Sequence, residues 1–384
     1  VNCLWGVRLI DQNSPQRLVN SNIPQKLVDK SALLQDFVWQ RRACFNRPAG
    51  FGKSSLIAML EELFTHGTER CADLAIAAHW QEQRYPVIAL SLAGLSDPAT
   101  IESKVIARLA AAFSKAGFAG TQQVVARFGT LNESLGAFDS LRKKQPIVVL
   151  IDDWDYPVTA NWDQPDAFAA CQEVLNTLFA WTRELRSLHY LLLTGTCAFC
   201  QNELGAGQDL RDLSMDARFA ALLGYTEAEI KQCFAPELKA AVARLQLSES
   251  ELMTELERHY GGYSFDGVTQ LFCPAAINQF MACPELSWDA HIMQAARARI
   301  APFLSKWRLK PNYWEQATAG TLEVMRYQLL SCCDYREIRL TPLLVQLGLL
   351  TFKQDLDPGD DCDLLHGYAC GFTNEAAAHC WERR

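Results

Sequence analysis

A chain of 384 residues, 49% hydrophobic and 21% charged, has apolar material for a sizeable core, in one long domain or two to three modules. Its formal net charge of −8 and pI near 5.5 argue against a generally basic, nucleic-acid-binding surface. No apolar stretch approaches the roughly 18 residues of a membrane span, and Val1 to Ile10, with Arg8 inside its apolar part, makes a poor leader. The 14 cysteines are scattered through apolar contexts and read as buried thiols in a reducing, cytoplasmic setting. Neither Cys197-Ala-Phe-Cys200 nor the group Cys362, His366, Cys370, His379 and Cys380 has the paired-doublet spacing of a zinc site.

In chain order, Ile23-Pro24 and Val28-Asp29-Lys30-Ser31 lead into Leu33, Leu34, Phe37 and Val38, spaced as a short amphipathic helix. The apolar run Ala43-Cys44-Phe45 then enters Asn46-Arg47-Pro48-Ala49-Gly50-Phe51-Gly52-Lys53-Ser54-Ser55. Beyond Ser54, Leu56, Met59, Leu60, Leu63 and Phe64 recur at helical spacing, with Glu61 and Glu62 on the wet side and Gly67 at a C-cap position. Strand, loop, Lys-Ser and helix together suit a polyphosphate. The backbone from Gly50 through Phe51, Gly52 and Lys53 to Ser55 faces the anion, Lys53 neutralises it and the Ser54 hydroxyl reaches a magnesium ion. The alternative is an ordinary strand-to-helix turn, because Arg47 stands where the usual loop has its first glycine.

Tyr85 to Leu92 reads as a buried strand, and Asp97-Pro98 as a helix start that places Ile101, Val105, Leu109 and Phe113 on one face. Another helix is predicted from Thr130 to Leu141. The run Ile147-Val148-Val149-Leu150-Ile151 suits a central strand covered on both sides, and it ends in Asp152-Asp153-Trp154-Asp155. Acids at such a tip share a rim with the loop, where Asp152 would hold magnesium through water and Asp153 would position an attacking water. A solvated strand end is the plainer alternative. A helix through Phe168, Leu175 and Phe179 precedes the strand Leu188 to Thr194-Gly195. Its hydroxyl tip either meets a γ-phosphate or the attacking water, or simply closes the strand. Alternating strands and helices predict an α/β fold with a doubly wound parallel sheet.

From residue 224 the pattern changes. Thr226 with Glu229, and Ser248 with Glu251, form capping boxes that open helices, followed by the aromatic, glycine-rich Tyr260-Gly261-Gly262-Tyr263-Ser264-Phe265-Asp266-Gly267. Arg297, Arg299, Lys306, Arg308 and Lys310 form the one locally basic stretch and read as a solvated helical face, the alternative being a nucleic-acid patch. Leu343 to Phe352 reads as a helix passing into a strand, and the acids Asp355, Asp357, Asp360, Asp361 and Asp363 after it oppose DNA docking. The expected division is a core at 1–223, a helical lid at 224–285 and a mostly helical, winged-helix-like region at 286–384.

These motifs resemble the bacterial AAA-ATPase-like family of P-loop ATPases. The matching residues are Val28 to Ser31, the loop Arg47 to Ser54, the strand end Leu150 to Pro157 and Thr194-Gly195. Gly224 to Glu227, Tyr260 to Phe265, Gln346 to Thr351 and Phe372 to Glu375 also match, in the family's order. The resemblance makes Arg47 a family trait of the loop and implies ATP and Mg2+ as ligands, with Ser54 and Asp152 on the metal. It further implies Asp153 orienting water and Thr194 sensing the γ-phosphate. Arg47 and Asp155 are either a structural pair behind the loop or direct participants, and the base is expected near Ile23 and Pro24. No arginine finger is assigned; Arg211 and Arg218 are candidates only because they follow the strand that ends at Thr194-Gly195. Two departures stand out: Asp153 where relatives carry Glu, and Ala198 where they often carry Arg. Many members continue into a restriction-enzyme-like nuclease domain, which this chain is expected to lack. The resemblance thus implies a slow ATP hydrolase working as a switch on a protein partner in the bacterial cytoplasm, with export to another cell left open. The rival is a scaffold that has lost turnover; a nucleic-acid motor is a third reading that the acidic balance opposes.

Overall fold

The computed structural model describes residues 28–198, 210–287, 296–298, 300–301, 312–330, 339–356 and 365–382. Ile23 and Pro24, Cys200, Arg299, Lys306, Arg308, Lys310, Asp357, Asp360, Asp361, Cys362 and Asp363 lie outside these residues.

A short helix α1 (Leu34–Val38) precedes β1 (Arg42–Asn46), after which α2 (Lys53–His66) starts at the loop lysine and stops at Gly67 with φ of +71°. Then come β2 (Val87–Ser91), α3 (Ile101–Lys115), α4 (Thr121–Arg127), α5 (Leu131–Leu141), β3 (Ile147–Asp152), α6 (Tyr156–Thr159), α7 (Pro165–Glu184) and β4 (Leu188–Gly195). Every residue of β3 is buried, as its unbroken apolar run requires of a strand covered on both faces. α3 begins later than Asp97-Pro98 suggested. The Asp97 carboxylate accepts from the Ala99 N–H and the Thr100 hydroxyl, which closes a separate turn ahead of the helix.

These strands and the two-residue β5 (Arg211–Asp212) form one parallel sheet in the order β2-β3-β4-β1-β5. β4 therefore lies between the strand that feeds the loop and the strand that ends in acids. The register sets Phe45 beside Thr194 and Thr194 beside Asp152, so the three residues lie abreast across the sheet.

Both capping boxes form, opening α8 (Glu227–Cys233) and α10 (Glu249–Tyr260), with α9 (Ala235–Leu245) between them and α11 (Pro274–Ala282) after. The C-terminal part holds a three-stranded antiparallel sheet in the order β6 (Leu322–Met325), β8 (Gly367–Phe372), β7 (Leu350–Asp355), flanked by the helices Tyr313–Ala319, Leu340–Gln346 and Glu375–Glu382. The predicted passage from helix to strand is thus present. One apolar core runs from Leu34 through the parallel sheet and α8–α11 to Trp381. Among the described residues no helix is long and apolar enough to cross a membrane.

Candidate functional site

The loop between β1 and α2 turns on Gly50 and Gly52, with φ of +83° and +92°, values that L side chains adopt only at a cost. Gly52 caps α2 without a side-chain acceptor, and the first turn carries no acid. Neither a capping side chain at Gly52 nor an acid in the first turn thus competes for the leading amides of this 14-residue helix, which suits an incoming anion. Lys53 is buried, and its ammonium donates to the Arg47 and Pro48 carbonyls at 2.8 and 3.0 Å, bracing the loop from inside.

Across the rim the Ser54 hydroxyl donates to Asp152 Oδ2 at 2.5 Å, and the Thr194 hydroxyl donates to Asp152 Oδ1 at 2.6 Å. Ser54 is exposed whereas Asp152 and Thr194 are buried, so one carboxylate is fixed by two hydroxyls at the edge of solvent. A hydroxyl and a carboxylate side by side are the hard oxygen donors that magnesium prefers. The residues present therefore fit the ion. Asp153 follows with φ of +51°, a left-handed backbone that Asp tolerates better than most residues, and its N–H donates back to Asp152 Oδ1.

Arg47 behaves differently from the other loop residues. The residue is 1% exposed, and its guanidinium lies 4.3 and 4.1 Å from the ring centres of Phe45 and Phe265 and donates to the carbonyls of Asn46 and Ser214. Burial lowers its pKa to about 9, against the opposing pull of Asp212 and Asp266. These contacts make it a bolt behind the loop, joining β1 to the segment after β5 and to the aromatic loop. Of the two alternatives for Arg47 and Asp155, the structural pair does not form: Asp155 instead accepts from the Thr196 and Cys197 amides at 3.1 and 2.9 Å, fixing the exit of β4.

Gly195 allows this arrangement. A Cβ there would come within 2.6 Å of both Asp155 Oδ1 and Trp154 Nε1, and the buried Trp154 indole donates to Asn46 Oδ1 at 3.0 Å. Of the two arginine-finger candidates, Arg211 donates to Gln40 and Arg218 to Asp216, both at exposed positions.

The remaining motifs converge on the loop. Phe51 is buried edge-on against Tyr263 and Phe265, and the Gly50 carbonyl accepts from the Ala275 N–H at the start of α11. Thr351 Oγ1 accepts from the Ser264 N–H and donates to the Ser264 carbonyl. Thr373 donates to the Gly348 carbonyl, and Asn374 to that of Gly261. On the open side of Gly52 and Ser55 is a largely apolar cleft of about 100 Å³, lined by Val28, Leu34, Met59, Leu223 and Tyr225.

A parallel sheet whose first strand feeds a glycine-turned Lys-Ser helix start, with an acid on a strand two places away, is a P-loop nucleoside-triphosphatase fold. Residues 18–205 match the model of the AAA-ATPase-like family, described as predicted AAA-ATPase. An uncharacterized protein in the vnfD 5′ region of Azotobacter chroococcum mcd 1 is 30% identical over 246 residues, or 62% of this chain and 45% of that protein. The chain thus spans less than half the length of that relative. Among solved structures, the Walker-type ATPase PABY2304 of Pyrococcus abyssi aligns over 93% of this chain and 96% of its own, with 14% identity and a TM-score of 0.49. The ORC1 protein of Aeropyrum pernix, solved in complex with DNA, aligns over 94% of each chain with 12% identity and a TM-score of 0.36. The fold itself is defined by the strand order and register.

Proposed function

We propose that the chain binds Mg-ATP at the β1–α2 loop and hydrolyses it slowly, as a nucleotide-dependent switch acting on a protein partner in the cytoplasm. The observation that carries this reading is the row Phe45, Thr194, Asp152, with Ser54 Oγ 2.5 Å from the carboxylate. Gly50, Phe51, Gly52 and the amides of Lys53, Ser54 and Ser55 would wrap the phosphates. Lys53 would turn from the Arg47 and Pro48 carbonyls to the β- and γ-oxygens. Ser54 and Asp152 would hold magnesium, which supplies charge neutralisation at the phosphates when bound. Asp153 would orient the attacking water and Thr194 would sense the γ-phosphate. Arg47 serves this site from behind, as support. The apolar cleft beside Gly52 and Ser55 suits the flat face of a base, and it begins at Val28, soon after the expected Ile23 and Pro24.

The second reading, a scaffold without turnover, is favoured by Asp153, one methylene shorter than the Glu of relatives. The net charge of −8 opposes a nucleic-acid partner. A thermal or denaturant titration with Mg-ATP tests binding: at 100 times its Kd the ligand stabilises the fold by about 2.7 kcal/mol. Lys53→Ala is expected to abolish that gain. If the wild-type protein shows no gain, both the enzyme and the switch are wrong. Binding without phosphate release selects the scaffold.

A further inference from the structure

Gln346-Leu347-Gly348, at the end of the helix Leu340–Gln346, touches both arms of the site at once. Gln346 Oε1 accepts from the Ala198 N–H at 2.9 Å, and its Nε2 donates to the Leu329 carbonyl at 2.6 Å. Ala198 lies four residues beyond Thr194. Asp155 holds the two preceding amides, so three consecutive N–H groups leaving β4 end on two side chains. Two residues after Gln346, Gly348 (φ of +79°) presses on the loop itself: a Cβ there would come within 2.9 Å of Pro48 Cγ and 3.0 Å of the Tyr263 ring. Pro48 is also the residue whose carbonyl holds Lys53. Beyond Gly348 the chain enters β7, and the Gly348 carbonyl is tied to Thr373 at the end of β8. The contact is not solid, because Arg47, Pro48, Thr196, Ala198, Asp212 and Gln346 line a cavity of about 50 Å³ between the two arms. A turn against such a void has room to shift.

We propose that Gln346 is a positioning residue that couples the exit of β4 to the C-terminal sheet, so that occupancy of the phosphate loop is transmitted to β7 and β8. This rests on the nucleotide reading above. When Lys53 leaves the Pro48 carbonyl the loop loses an internal brace, and Pro48 shifts against Gly348. A change at Thr194 arrives at the same turn through Ala198. Both movements converge on three residues that lead into one sheet, and a nucleotide that favours one arrangement of the loop biases the sheet by the difference.

Hydrogen exchange read by mass spectrometry, on wild type, Gln346→Ala and Gln346→Glu with and without magnesium and ATPγS, tests this. In the wild type, nucleotide is expected to change exchange at 346–352 and 367–373. Gln346→Ala should bind ATPγS within about threefold of wild type and speed exchange at 196–198 about tenfold without nucleotide, as one lost hydrogen bond does. It should also lose the response at 367–373. Gln346→Glu keeps the acceptor for Ala198 and loses the donor to Leu329. It should retain slow exchange at 198 yet transmit nothing, and being isosteric it remains informative if the alanine variant misfolds. A destabilised variant whose β8 still responds fully to nucleotide would show a merely structural glutamine and overturn the proposal. Wild type that binds ATPγS with a silent C-terminal sheet overturns the coupling alone. Wild type that does not bind overturns the nucleotide reading and this inference with it.

Discussion

Gly195→Ala isolates the packing that holds the site. The added methyl would overlap Asp155 Oδ1 and Trp154 Nε1, each 2.6 Å away. Neither neighbour can yield freely, since Trp154 is fully buried with its indole bonded to Asn46, and Asp155 is pinned by two amides. Overpacking of this kind costs about 2 kcal/mol, and breaking the Trp154–Asn46 bond adds about 1 kcal/mol, for a loss of about 3 kcal/mol. The control is Gly136→Ala in the interior of α5, where a Cβ meets nothing within 4 Å. There the better helix propensity of alanine stabilises by about 0.8 kcal/mol. Urea unfolding of the two variants should therefore move in opposite directions from wild type. Equal shifts, or a Gly195→Ala value within about 0.5 kcal/mol of wild type, would refute the argument that Gly195 is required by contact.

Two further variants probe the charges around the loop. Burial raises the Asp212 pKa above its ordinary value, against hydrogen bonds from Ser214 that lower it. The native state then holds a proton that the unfolded chain has released, so this group's contribution to stability falls as pH rises from about 3.8 through the raised value. Asp212→Asn should gain on wild type over that window, measured as the difference in urea midpoint at each pH; a difference that does not change with pH contradicts the assignment. If Asp153 has the proposed role, Asp153→Glu is expected to raise the rate of phosphate release, because the longer carboxylate would reach the attacking water better. It should also cost about 0.5 kcal/mol of stability at a left-handed backbone position. An unchanged or slower rate would count against the role of Asp153.

The parts legible in the sequence were those with a local signature. The loop and α2 were marked by helical periodicity after Lys53-Ser54, β3 by an unbroken apolar run, and α8 and α10 by capping boxes whose partners are three residues apart. What escaped had no local signature. β5 is two charged residues that become a strand only beside β1, and α4 is a short helix with little apolar face. The fate of Arg47 depends on Phe265, Ser214 and Asp212, all more than 150 residues away. Gln346 and Gly348 were visible only as parts of the stretch Gln346 to Thr351 that carries the resemblance; that they grip β4 and the loop is a long-range fact.

The order of strands also dictates the order in which the site can be built. Both neighbours of β1, namely β4 and β5, are later in the chain, whereas β2 and β3 can join each other as soon as both exist. During synthesis the lysine-bearing segment therefore waits without a sheet partner until β4 emerges and slots between it and β3. A polypeptide cut after Asp152 would contain every loop residue and the first acid, yet no means of bringing them together.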